Sequence, residues 1–175
     1  MSMPVRFMAR TRAAGGRRRP TRAPESEWTA CDSTCSARHG SRCWCVPFTV
    51  GEGSHRLWGT AVFSHASVGV NLFGGSGPHI GAVAVAIPRP SLARPGRRSA
   101  TTSVLALVGH KDDELARFMA TELARESGIT VVVTAGVHLP RARSSDITAV
   151  LRNAGDAVKT ILALAASARK RRRRE

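Results

Sequence analysis

Three histidines, His79, His110 and His138, each stand beside an apolar run, in the segments GGSGPHIGAVAVA (residues 74–86), GHKDDELA (109–116) and TAGVHLP (134–140). Loops presented by a rigid scaffold carry chemistry more often than element interiors do, and the ends of strands bring distant sequence together. Neutral imidazole is a common ligand for first-row divalent metals, and a nearby carboxylate completes or orients such a site. Asp112, Asp113 and Glu114, close behind His110, are the candidate carboxylates. The same segment also suits an anion. A helix amino terminus beside Lys111 is a natural phosphate cradle, and Gly74, Gly75 and Gly77 would let backbone amides approach the phosphate. Plainer roles stand beside these. A histidine near a turn can simply hydrogen-bond the backbone, and acidic residues at a helix start complement its partial positive charge. Neither G-x-x-x-x-G-K-[ST] nor G-x-G-x-x-G occurs, so nucleotide hydrolysis and dinucleotide binding lack support. No nucleophile-elbow pattern surrounds Ser103 or Thr134. The residues by themselves describe a small protein with a His/Asp site and leave the ligand unnamed.

The elements that must position these residues are legible in the hydrophobic period. Residues 58–63 read as a first short strand. Val68, Val70 and Leu72 alternate with Ser67, Gly69 and Asn71 as a second. Residues 80–87 make a third, with Val83, Val85 and Ile87 on one face and Ala82, Ala84 and Ala86 on the other, so a neighbour must pack close on the alanine side. The Pro- and Arg-rich stretch 88–99 reads as a loop, and 101–108 returns to strand. A helix opens with the acidic turn at Asp112 to Glu114, carries Leu115, Phe118, Met119 and Leu123 on one face, and stops at Ser127 and Gly128. Residues 129–133 form a fifth strand, with the segment ending in His138 and Pro140 as its connection. A long amphipathic helix starts near Ser144 or Ser145, either of which can cap it. Its stripe runs through Ile147, Val150, Leu151, Ala154, Val158, Ile161, Leu162 and Ala165. The order β-β-β-β-α-β-α predicts an α+β fold: a mostly antiparallel sheet of about five strands with two helices on one face.

A length of 175 residues suits one domain with tails. The net charge of +15 suggests nucleic acid until it is placed along the chain: residues 1–45 contribute +6, 169–175 contribute +5, and the intervening 123 residues only +4. The domain itself, expected at 54–168, is thus mildly basic. It lies between a basic, cysteine-containing extension at 1–53, expected to be disordered, and a basic tail at 169–175. Such a tail can dock on phosphates, but no helix-turn-helix, zinc-finger or aromatic stacking signature accompanies it, and nucleic acid is not the expected partner. Cys31, Cys35, Cys43 and Cys45, with His39 among them, depart from the paired C-x2-C knuckles of structural zinc sites. Free thiols are the simpler reading, with a zinc knob as the alternative. The longest strictly apolar stretch, residues 161–166, is far too short to span a bilayer. The Arg-rich amino terminus lacks an apolar h-region, so a cytoplasmic location is expected.

The three motifs, in this order and spacing, resemble the LpdD-like family of prenylated-flavin chaperones that accompany UbiD-type decarboxylases. The resemblance covers roughly residues 60–163. It implies a non-catalytic carrier that binds prenylated FMN (or FMN), aided by a divalent metal, and assists loading of an apo-decarboxylase acting on aromatic acids. The decarboxylase and a flavin prenyltransferase would be its partners. By the same resemblance His79, His110, Asp113 and His138 fall at the metal or flavin edge. Gly75, His79, Gly81 and Gly136 would contact the cofactor, and Lys111 would meet its phosphate. One departure stands out: the family carries an acidic residue two places after the third-motif histidine, where this chain has Pro140, followed by Arg141 and Arg143. Two other functions fit the residues alone: a small metal-dependent hydrolase or lyase using His79, His110 and His138, and a nucleic-acid binder acting through its tails. A homodimer is expected, because the last helix and the alanine face of the third strand could each bury a partner.

Overall fold

The computed structural model describes residues 43–107 and 111–172, without the side chains of 168, 169, 171 and 172. His110 and the expected extension up to residue 42, with Cys31, Cys35 and His39, lie outside the described residues. The fold is α+β: one six-stranded sheet and two helices, in the order β1 (Trp44–Val50), β2 (Leu57–Phe63), β3 (Ser67–Gly75), β4 (Ala82–Pro90), β5 (Arg98–Ala106), α1 (Asp113–Ser127), β6 (Thr130–His138) and α2 (Ser144–Arg172). Spatially the strands run β1-β2-β3-β6-β4-β5. Every pairing is antiparallel except β3 with β6, which run parallel from Ser67↔Thr130 to Gly75↔His138. That parallel pair requires a crossover, and the β4-β5-α1 excursion supplies it.

Sequence and structure differ at three boundaries. The sheet begins at Trp44, inside the segment expected to lie outside the fold, so it has six strands rather than five. The period-two signal Trp44, Val46, Phe48, Val50 was present, and Pro47 disguised it. Proline is tolerated here because β1 is an edge strand. The expected loop 88–99 shrinks to 91–97, since Pro88↔Ala100, Arg89↔Ser99 and Pro90↔Arg98 continue the β4–β5 ladder. A proline fits such a ladder where its missing N–H faces a flank without a partner, and β4 pairs with β6 only as far as Ala86. Finally, β6 runs on to His138, because its whole length lies against β3.

One face of the sheet is covered. Ala82, Ala84 and Ala86 of β4 are fully buried beneath α1, whose own Ala116, Ala120 and Ala124 are fully buried in return. Small residues on both surfaces let helix and strand backbones approach closely, the neighbour the alanine pattern demanded. Leu115, Met119 and Leu123 of α1 complete that layer, and α2 covers β1 and β2 with Val150, Ala154, Val158 and Ile161. Burying each larger aliphatic contributes roughly 1.5–3 kcal/mol. Gly128, left-handed at φ 72°, ends α1 by donating its N–H to the Ala124 carbonyl. Neither expected serine caps α2. Asp146 instead reaches back to accept from the Arg143 N–H at 2.8 Å, the carboxylate arm of a capping box. No helix among the described residues is long and apolar enough to cross a membrane.

Candidate functional site

His79 and His138 meet at the end of the sheet where β3 and β6 finish. Gly75, the last residue of β3, pairs with His138, and its φ of +72° turns the chain back. A Cβ there would lie 2.0 Å from the His138 carbonyl oxygen, so only glycine fits. The Ser76 N–H then donates to that carbonyl at 3.0 Å. The chain next crosses over β6 at Gly136, where a Cβ would stand 1.9 Å from the His79 carbonyl oxygen. Gly81 finishes the crossing: its N–H donates to Ala135 and its carbonyl accepts from Leu107, both at 2.9 Å. Two of the glycines nominated from sequence for approach to a cofactor, Gly75 and Gly136, therefore serve first to let the protein's own backbones pass one another.

The histidine rings lie 6.3 Å apart and edge to face, at 74°. His79 is held on both sides. Its Nδ1–H donates to the Gly77 carbonyl at 2.9 Å, and its Nε2 lies 3.2 Å from Oδ2 of Asp112. A carbonyl only accepts, so Nδ1 must carry a proton. The contact with Asp112 is then a hydrogen bond only when a further proton sits between Nε2 and Oδ2. Asp112 itself is buried, with a relative exposure of 6%. Its other oxygen, Oδ1, accepts the Val137 N–H at 3.0 Å. One carboxylate thus ties the start of α1 to the end of β6 and to the β3–β4 loop.

Sequence reasoning offered Asp112, Asp113 and Glu114 together and favoured Asp113. The structure turns Asp112 inward, leaves Asp113 half-buried at the first turn of α1, and pairs Glu114 with Arg117. Asp112 precedes the first helical residue, yet its side chain makes no capping bond. The helix-dipole account accordingly explains its neighbours and not Asp112. Lys111 and His138 are exposed at this same end of the fold. Among the described residues, no group of three or more His, Cys, Asp and Glu side chains gathers where it could hold a metal ion. His110, the third nominated imidazole, lies outside the described residues.

A second concavity was missed by the sequence. At the opposite end of the sheet, a cavity of about 550 Å³ opens between the carboxyl ends of both helices, lined by Trp44, Phe63, Ile129, Leu162, Glu126 and Lys170 among others. Trp44 stacks on Phe63, with centroids 5.3 Å apart and planes 8° from parallel. Its indole Nε1–H is buried with no acceptor among the described residues, an uncommon state for a buried donor. Setting residues 1–53 aside from the fold hid this feature, because Trp44 is one of its lining residues.

The family described as the prenylated flavin chaperone LpdD-like domain matches residues 51–166, well over half of the chain. No curated protein matches it. Among solved structures, the chain is similar to one in the crystal structure of a chaperone complex for yeast 20S proteasome assembly, with 19% identity and a TM-score of 0.47 over 71% of this chain and 96% of that one.

Proposed function

The chain belongs to the LpdD-like prenylated-flavin chaperone family, and from that premise we propose that it is a non-catalytic carrier that binds prenylated FMN and helps load it into a UbiD-type aromatic acid decarboxylase. The observation that carries the binding site is the convergence of His79 and His138, 6.3 Å apart, on the strand ends beside Lys111 and the buried Asp112. The flavin phosphate is dianionic, and the exposed groups here, Lys111 and His138, are a cation and a hydrogen-bonding imidazole, so this end fits an anion. When bound, the cofactor would bring the redox and decarboxylation chemistry, which belongs to the partner enzyme. This chain's residues bind and orient it. His79, fixed by Gly77 and Asp112, acts as a post that keeps the crossing loop in place, and His138 and Lys111 present the contacts.

A metal is less well supported. Both ring nitrogens of His79 are engaged within the protein, and Pro140 stands where the family carries a carboxylate. No step is assigned to a metal held by His79, His110, Asp113 and His138. Partnership with a flavin prenyltransferase and a cytoplasmic site of action belong to the same proposal.

The cavity beside Trp44 gives a second reading of where the ring system lies. Its volume falls within the roughly 300–1,000 Å³ usual for small-ligand sites, and the orphaned indole N–H would find an acceptor on a flavin edge. One experiment separates the two: anaerobic titration with FMN and with reduced prenylated FMN, followed by absorbance, together with activation of an apo-decarboxylase. His138→Ala with Lys111→Glu should weaken flavin binding by about tenfold or more, the loss of one or two charge-assisted contacts, and slow activation in parallel. If Trp44→Leu has that effect and the histidine-end variant does not, the flavin belongs in the cavity. No effect of the chain on apo-decarboxylase activation would refute the carrier role.

A further inference from the structure

Among the described residues, Arg141 is the one non-glycine with a positive φ, +55°. It forms a turn with Pro140, between the end of β6 at His138 and the start of α2 at Ser144. Glycine adopts this backbone conformation freely, whereas a residue with a Cβ is strained in it. Such strain concentrates at functional sites, where the surrounding structure holds it in place. An arginine stands where the backbone favours no side chain at all.

The charge around it is not compensated within the protein. Four exposed cations gather at this end of the sheet: Arg56 just before β2, Lys111 just before α1, and Arg141 and Arg143 between β6 and α2. The carboxylates of the same region are turned to other groups. Asp112 is buried, accepts the Val137 N–H and faces His79. Glu114 pairs with Arg117. Asp146 lies 2.8 Å from His55 and accepts the Arg143 N–H, with the Arg143 charge beside it. On the helices, Arg117, Arg125 and Lys159 each meet an acid three residues away. Arg56, Lys111 and Arg141 meet none among the described residues. Of these three, Arg141 is the one that follows His138 directly off the end of β6, three positions on.

We propose that Arg141 receives a phosphomonoester, the terminal phosphate of the flavin mononucleotide, and that this chain holds it without a divalent metal. The proposal rests on the carrier reading for the flavin, and goes beyond it in naming the side chain that grips the phosphate. A guanidinium presents parallel N–H donors that match two phosphate oxygens, and it stays charged at every working pH. Pro140 fixes the φ of the preceding turn position, so the arginine projects from a backbone with little freedom left to lose on binding. Exposed His138 and Lys111 add donors at the same end. With both ring nitrogens of His79 engaged, these cations supply the positive charge that a metal ion would otherwise bring to a dianion.

The test is calorimetry and NMR on the full chain stripped of metal by chelation, with FMN, riboflavin and inorganic phosphate as probes. FMN should bind at least about tenfold more tightly than riboflavin, the gain from a charge-assisted pair. Inorganic phosphate should shift the Arg141 side-chain Nε–H resonance. Arg141→Gly should bring FMN to within about threefold of riboflavin. Its urea midpoint should be no lower than that of the wild type, since relief of the positive φ offsets the freer unfolded chain. Arg94→Gln, in the β4–β5 loop at the opposite end of the sheet, should leave the preference intact. A preference for FMN that appears only when a divalent metal is restored overturns the proposal, as does one that survives Arg141→Gly. So does a variant whose affinity and midpoint fall together, because the turn would then need the arginine stem for its own stability. Equal binding of riboflavin and FMN overturns it while leaving the carrier reading in place. Phosphate shifts at Arg141 without any flavin binding would keep the phosphate site and sink that reading instead.

Discussion

The fold contains two imidazole–carboxylate pairs of the same chemistry in opposite settings. At the strand ends, His79 lies 3.2 Å from a buried Asp112, with side-chain exposures of 23% and 8%. Beside the first turn of α2, His55 lies 2.8 Å from Asp146, at 32% and 30%. The shorter contact is the weaker anchor. Water and salt compete for the second pair, which is worth little by itself. The first sits where removing one partner leaves a backbone donor and an imidazole without their acceptor. Burial of the carboxylate, rather than the distance to the ring, separates a post that holds a site together from a clip that trims a helix end.

That contrast is broken or sharpened most strongly at Asp112. Asp112→Ala strips the acceptor from the Val137 N–H and removes the group that faces His79 Nε2, and should cost roughly 2–4 kcal/mol, read as a lower urea midpoint with unchanged slope. Flavin binding should fall with it, since the crossing loop loses its tether. A loss below about 1 kcal/mol, the range of an exposed pair, would place Asp112 in the same class as Asp146 and remove the distinction. Next in size is Gly136→Ala. The new methyl must displace the His79 carbonyl, and overpacking of this sort costs about 1–3 kcal/mol. His79 should shift against His138, visible as changed imidazole resonances; an unchanged pair of rings with full stability would show that the crossing is not tight.

These regions were unequally legible in the sequence. The alanine–valine alternation of β4 told that some neighbour would press close on one side and that the other would differ, because period two maps directly onto two faces; that the neighbour is α1 and not a partner was not legible. Two of the histidine motifs end at one end of the sheet, where His79 and His138 stand 6.3 Å apart, since strand termini are marked by glycine and proline; His110 lies outside the described residues. Which acid of the Asp112–Asp113 doublet turns inward was not legible: both fit a helix start equally well, and only the approach of β6 in three dimensions selects Asp112. His55 passed unnoticed because its partner is 91 positions away and neither residue stands in an apolar pattern. The cavity was lost with β1, whose alternation Pro47 and the flanking cysteines obscured.

The smallest effect, and the cleanest measure of the exposed pair, is the pH dependence at Asp146. Its carboxyl is held below the usual carboxylate range, first by the hydrogen bond from the Arg143 backbone N–H, then by that from His55. A group whose acidity is raised by folding stabilises the native state once it is ionised, and that contribution disappears as the pH falls through its folded value. Wild-type stability should therefore decline from about pH 4 downward in part through Asp146, and Asp146→Asn should flatten that part of the curve while lowering stability slightly at neutral pH. The variant keeps Asn153 donating to the His55 carbonyl at 2.8 Å, so the Gly53–His55 turn stays docked on α2 and the helix amino terminus alone should fray. Both pairs stand at the same end of the sheet, since Leu57 pairs with Gly74 and Gly75 with His138; if Asp146→Asn weakened flavin binding as strongly as Asp112→Ala, the two pairs would be one coupled unit, and the division between post and clip would have to be abandoned.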